Sequence, residues 1–270
     1  MMNTEPKYLS PDEIKSRLVA ILSVFSEFCI NNGLRYYLAY GTLLGAVRHQ
    51  GFIPWDDDID VWMPRPDFIR FKDSFHHEIY TFHSMDTDEE WPLNSGKVCD
   101  ERYCAIESFG KDFGLYIDVF ALDGMPDDES RIQKHFKSIR RLEELWSNQL
   151  FTRKLSLSIH NSFSKNIKII TGIIVHCFIP FNKIRIRLIK LYQKYDYESS
   201  NLVCSICNSN LVLSKDTFEP CDTALFEGKS YRIPNKTDLF LKLRYNNYWI
   251  LPPKEEQVSH GIKAYLKNTY

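Results

Sequence analysis

The stretch YGTLLGAVRHQGFIPWDDDID, residues 40–60, decides how this chain is read. Its last third places Asp56, Asp57, Asp58 and Asp60 within five residues, immediately before Val61 and Trp62. Carboxylates this close repel one another, and at the mouth of a strand they cost stability unless a cation or basic partners neutralise them. Strand side chains alternate, so Asp58 and Asp60 are predicted to share one face while Ile59 and Val61 enter the core. Two carboxylates on one face suit Mg²⁺, with Mn²⁺ as the alternative, because such ions take oxygen ligands and keep positions open for phosphate and water. Asp118, flanked by Ile117 and Val119 in the apolar run LYIDVFAL (115–122), is expected to bring a third carboxylate from a neighbouring strand. The plainer alternative is an acidic turn that caps the next element, and for a lone Asp-rich loop it is the better one.

The first part of the stretch favours the functional reading. Gly41 and Thr42 follow an apolar run and open a short helical stretch, Leu43 to Val47. Backbone N–H groups at that helix start, with the Thr42 hydroxyl, are suited to hold a phosphate. Arg48 and His49 come one turn later and can pair with phosphate oxygens. A phosphate-holding turn, a carboxylate pair and a third strand carboxylate form the minimal apparatus for metal-assisted phosphoryl transfer. Asp56 is a further candidate ligand. Lys97, in GKVCD (96–100), is expected in an extended segment, either reaching a leaving phosphate or standing solvated.

Outward from this stretch, the pattern predicts an α+β (α/β) fold, a mixed β-sheet flanked by helices. Ser10-Pro11-Asp12-Glu13 reads as an N-cap, an N1 proline and a capping-box glutamate. Ile14, Leu18, Ile21, Leu22, Phe25 and Phe28 recur at helical spacing, and Gly33 is placed to end that helix, giving one amphipathic helix over 10–32. Strands are expected over 34–40, 59–63 and 115–122, and helices over 64–77 and 127–150. Tyr36, Tyr37, Trp55 and Trp62 read as core aromatics.

Composition narrows the function classes. At 44% hydrophobic and 26% charged residues the chain is an ordinary globular protein, and disorder or low complexity falls away. The formal net charge of -1 conceals a division: from Leu145 to Tyr195 there is no acidic residue and there are nine Lys or Arg, leaving 25 basic against 35 acidic residues elsewhere. Residues 151–195 are therefore expected to form a basic, apolar helical insertion within a single catalytic domain spanning 1–270. Its apolar run, 167–181, is shorter than the roughly 20 residues needed to span a bilayer. An interfacial anchor on an anionic membrane surface is the favoured reading, and a hairpin packed on the core is its alternative. No basic base-reading helix stands in the catalytic part, so nucleic acid is not expected as a partner. Seven irregularly spaced cysteines suit reduced thiols, and Cys204 and Cys207 read as strand cysteines rather than a zinc pair.

The 40–60 stretch resembles the signature of the LicD family of phosphotransferases, which shares its core with the fukutin-related proteins. Tyr-Ile-Asp-Val-Phe (116–120), Leu-Asp-Gly (122–124), Tyr231-Arg-Ile-Pro234, Leu241 to Tyr245, Tyr248 to Pro253 and His260 extend the likeness, with Asn246 where the family commonly has glycine. The resemblance implies a nucleotidyltransferase-like fold in which Gly41 and Thr42 bind phosphate and Asp58, Asp60 and Asp118 hold the metal. It implies a CDP-linked alcohol donor, phosphocholine as the transferred group, with ribitol or glycerol phosphate as alternatives. A glycan or lipid-linked glycan of lipopolysaccharide, capsule or teichoic acid is the acceptor, and CMP is released. The implied location is cytoplasmic, peripheral on the inner face of the plasma membrane. Strict nucleotidyl transfer uses the same aspartates at the α-phosphorus; a metal-dependent glycosyltransferase lacks the Gly-Thr turn; and a non-catalytic membrane-associated scaffold is the reading from another class.

Overall fold

The computed structural model of the chain describes residues 6–89, 91–106, 113–154, 180–206 and 211–267. Helix α1 (Pro11–Asn31) begins as its sequence requires: Ser10 Oγ accepts from Glu13 N, and Glu13 Oε2 accepts from Ser10 N at 2.7 Å. These reciprocal bonds satisfy two of the helix's unpaired amides. Ile14, Leu18, Ile21, Leu22 and Phe25 form its buried face, each worth roughly 1.5–3 kcal/mol in removal from water.

The sheet is built on β5 (Phe113–Met125), a long strand buried along nearly its whole length, as a central strand covered on both faces must be. Strand β2 (Asp60–Pro64) pairs with it in parallel, and β4 (Gly96–Ile106) pairs on the other side antiparallel. Strand β1 (Tyr37–Leu38) adds to β2, while β3 (Tyr80–His83) and β10 (Lys263–Leu266) both add to β4. The far end of β5 takes β6 (Leu202–Cys204), which pairs with β7 (Leu213–Ser214). A separate hairpin, β8 (Asp222–Phe226) with β9 (Lys229–Ile233), completes the strands. Helices α2 (Tyr40–His49), α3 (Arg65–Ser74), α4 (Glu129–Lys154), α5 (Phe181–Tyr192) and α6 (Thr237–Tyr245) flank them. The expected mixed sheet flanked by helices is thus observed.

Two expectations change in detail. The strand expected over 34–40 contracts to two residues, because the chain turns at Tyr40, whose φ is 41°, and enters α2 there. Within 151–195, the described portion includes α5, whose Ile184 and Leu188 are fully buried against α4 while Lys183, Arg187 and Lys190 face solvent. Its apolar face is therefore used inside the protein, as in the packed-hairpin alternative. Most of the apolar run 167–181 lies outside the described residues, as does Cys207, while Cys204 is buried on β6. Among the described residues no helix is long and apolar enough to cross a membrane.

Asn246, which closes α6, sits at φ 56° and ψ -121°, a conformation that glycine adopts without steric cost and other residues rarely adopt. Asn246→Gly is expected to stabilise the protein by about 1 kcal/mol in denaturant titrations; a loss of stability would show that the Asn side chain contributes more than its backbone costs.

Candidate active site

The site begins with the backbone of Asp60, which is clamped from three directions. Its N–H donates to Thr42 Oγ1 at 2.9 Å, its carbonyl accepts from Ala39 N at 2.9 Å, and the preceding Ile59 carbonyl accepts from Asp118 N at 2.9 Å. The start of α2 and the two parallel strands are thereby locked at one point. In the β2–β5 register Asp60 stands directly opposite Asp118. Ile59 and Val61 are fully buried, so the predicted alternation places Asp58 and Asp60 away from that layer.

Above this point opens a cleft of about 870 Å³. Its walls include Gly41, Arg48, Asp56, Asp58, Asp60 and Asp118, six of the eight residues singled out from sequence. At Gly41 a Cβ would stand 2.6 Å from Asp56 Oδ2, so a larger residue there would displace that carboxylate. Arg48 donates from Nη1 to the Tyr248 carbonyl at 2.6 Å and from Nε to His49 Nε2 at 2.9 Å. The remaining two candidates take other roles. Thr42 is buried, and its hydroxyl is already engaged with Asp60 N, so it shapes the carboxylate site rather than lining the cleft.

Lys97 is not solvated. It is buried on β4 opposite Asp118, and its Nζ donates to both Asp118 oxygens at 2.9 Å while lying 3.3 Å from the centre of the Tyr116 ring. Ser95 Oγ adds a 3.3 Å bond to Asp118. Lys97 is thus the counter-ion of the third carboxylate, a cross-strand pairing that single-strand reading does not reveal.

One ammonium does not balance this cluster. Burial first, then the charges of Asp56 and Asp118, push the Asp58 carboxyl up to about 7. Burial followed by the charges of Asp58 and Asp118 raises Asp60 well above the ordinary carboxylate range. Burial raises Asp56 too, although its hydrogen bond with Asp58 opposes the rise. Oxygen donors that retain protons for want of positive charge are the donor set a hard divalent cation fits. Asp58, Asp60 and Asp118 line the same cleft as Asp56.

Several cleft residues escaped the sequence reading. Trp55 is half-buried, packing against the core and lining the cleft, whereas Tyr36, Tyr37 and Trp62 are fully buried as expected. Arg244 adds a second cation to the walls. Asp57, read as part of the acidic run, turns away from the cleft and accepts from Ser259 Oγ at 2.6 Å and from the backbone amides of His260, Gly261 and Ile262 at 3.0, 3.0 and 2.9 Å. The sequence signal for that role is slight: Ser-His-Gly, a short turn-forming triplet that begins 202 residues downstream.

Residues 33–155 match the LicD/FKTN/FKRP nucleotidyltransferase domain family. Over 256 residues the chain is 29% identical to the lipopolysaccharide cholinephosphotransferase LicD of Haemophilus influenzae, covering 91% of this chain and 94% of that protein. Mannosyltransferase regulators 14 and 4 of Saccharomyces cerevisiae are 25% and 28% identical over 47% and 41% of this chain, but over only 14% and 10% of their own length.

The raised carboxyl of Asp58 has a consequence for the metal-free protein. Between the ordinary carboxylate value of 3.8 and about 7, the folded chain keeps a proton that the unfolded chain has lost, so stability falls as pH rises through this interval. Asp58→Asn removes that loss. Thermal melts in chelator at pH 8 are expected to show the variant more stable by on the order of 2 kcal/mol, with the difference vanishing near pH 4; equal stability at pH 8 would contradict the crowding.

Proposed function

We propose that this chain, which carries a LicD-family nucleotidyltransferase domain, transfers a phospho-alcohol from a CDP-linked donor to a sugar hydroxyl of a cell-surface glycan, releasing CMP. Phosphocholine is the first candidate for the transferred group, in keeping with the activity named for the Haemophilus relative. The observation that carries the reading is the convergence of Gly41, Arg48, Asp56, Asp58, Asp60 and Asp118 on one cleft over the parallel β2–β5 pair.

In this reading Arg48 and Arg244 draw the diphosphate into the cleft, and Arg48 is held in place by the Tyr248 carbonyl. A Mg²⁺ or Mn²⁺ ion bound among Asp58, Asp60 and Asp118 would neutralise the diphosphate and the charge that develops as CMP departs. Gly41, with no side chain, leaves Asp56 room at the edge of that space. The aromatic walls, Tyr40, Trp55, Phe120 and Tyr245, exclude water and offer π faces to a quaternary ammonium. The acceptor hydroxyl attacks the distal phosphorus in line; its oxygen forms the new P–O bond as the bond to CMP breaks. Its proton passes to Asp56. Asp118 is less suited to receive it, since Lys97 Nζ already donates to both its oxygens.

Location follows from the same reading: a lipid-linked acceptor holds the enzyme at the inner face of the plasma membrane. The exposed cations Lys183, Arg187 and Lys190 of α5 then face anionic lipid.

Purified protein incubated with CDP-choline, acceptor glycan and Mg²⁺ should release CMP and leave phosphocholine on the glycan, as read by nucleotide chromatography and mass spectrometry. Asp58→Ala and Asp60→Ala are each expected to lower the rate by at least about 10³-fold, the scale for removing transition-state charge stabilisation. The proposal fails if no CDP-alcohol yields CMP, or if both variants keep the parent rate.

A further inference from the structure

The acidic run meets one more donor, carried from the far end of the chain. His260 Nε2 lies 3.7 Å from Asp56 Oδ1 and 3.5 Å from Asp58 Oδ2, and donor atoms of all three residues fall within 4.8 Å of one another. Two ligands on one six-coordinate ion stand about 3 Å apart when adjacent and about 4.2 Å apart when opposite. The two His260 separations fall within that interval. His260 lines the cleft, and its side chain is 65% exposed, so it stands on the solvent side of the carboxylates.

An exposed imidazole on a free loop would sweep a wide volume, but this one is fixed at its base. Asp57, between the two aspartates that His260 faces, accepts from Ser259 Oγ and from the amides of His260, Gly261 and Ile262. Gly261 turns the backbone at φ 74°, a conformation open to glycine, and donates to Ser259 Oγ at 2.8 Å. Four hydrogen bonds to one carboxylate make a tight tether. Alternation along the acidic run thus gives its members opposite roles: Asp56 and Asp58 face the cleft, and Asp57 holds the segment that brings a nitrogen donor over them.

We propose that His260 is a nitrogen ligand of the divalent cation held at Asp58, and that it gives the site a preference for Mn²⁺ over Mg²⁺. The inference rests on the reading that the cleft takes such a cation. Imidazole suits the first-row transition ions, whereas Mg²⁺ takes oxygen and would fill that position with water. The segment over 254–262 then closes on the cation, and cation binding and ordering of this wall of the cleft become linked.

The test uses Mn²⁺ alone on the full-length protein. Pulsed electron paramagnetic resonance of the bound ion should show coupling to an imidazole ¹⁴N. His260→Gln, a change at an exposed position, should abolish that coupling and weaken Mn²⁺ binding about 10-fold. Mg²⁺ affinity, from competition, should change by less than about twofold in the same variant. Bound Mn²⁺ without nitrogen coupling in the parent protein, or coupling that survives His260→Gln, overturns the role of His260 while leaving the carboxylate site standing. No Mn²⁺ binding by the parent overturns both the inference and the cation reading beneath it.

Discussion

The structure is organised around an electrostatic imbalance. Four aspartates reach one cleft, and the buried ammonium beside them, that of Lys97, is fully engaged by Asp118. The folded chain holds these carboxylates together although Asp58 and Asp60 are pushed toward their protonated forms. Such an arrangement is unfavourable on its own and becomes favourable when a divalent cation supplies the missing charge. The parallel pairing of β2 with β5 enforces it, since that register sets Asp60 opposite Asp118.

Much of the surrounding fold can be understood as holding that register. The start of α2 is fastened to Asp60 through Thr42 and Ala39, so the helix whose first turn lines the cleft cannot shift without moving the carboxylate. At the next turn of the chain, Arg65 at the head of α3 forms a two-pronged pair with buried Asp123 at 2.6 and 2.8 Å, tying β2's exit to β5. From the opposite end of the sequence, residues 259–262 return to Asp57. The cleft is therefore closed by contacts between segments about 200 residues apart, which is why its walls include both Trp55 and Val258.

What the sequence disclosed follows the range of the interaction. Local rules sufficed for the capping box of α1, for the apolar alternation of Ile59 and Val61, and for a short helix following Gly41 and Thr42. Asp118 was legible because a carboxylate between Ile117 and Val119 has no apolar reason to be there. The pairing of Lys97 with Asp118 was not legible, because it is set by cross-strand register, which no local pattern carries. Asp57 could not be told from Asp56 and Asp58, since the three differ only in which distant backbone they meet. Tyr40 shortened the expected strand because a positive φ in a non-glycine residue leaves no trace in composition. For α5, alternating isoleucines and cations fit a bilayer surface and a neighbouring helix equally well. In α5, Ile184 and Leu188 are buried against α4 while Lys183, Arg187 and Lys190 stay exposed.

If the carboxylates are crowded to receive a cation, binding must expel the protons they retain. Calorimetric titration of Mg²⁺ or Mn²⁺ into the metal-free protein at pH 7, repeated in buffers of different ionisation enthalpy, measures that release directly. The account predicts one ion bound with about one half to one proton released, the release falling away above pH 8. Binding with no proton release at pH 7, or no binding at all, would contradict it.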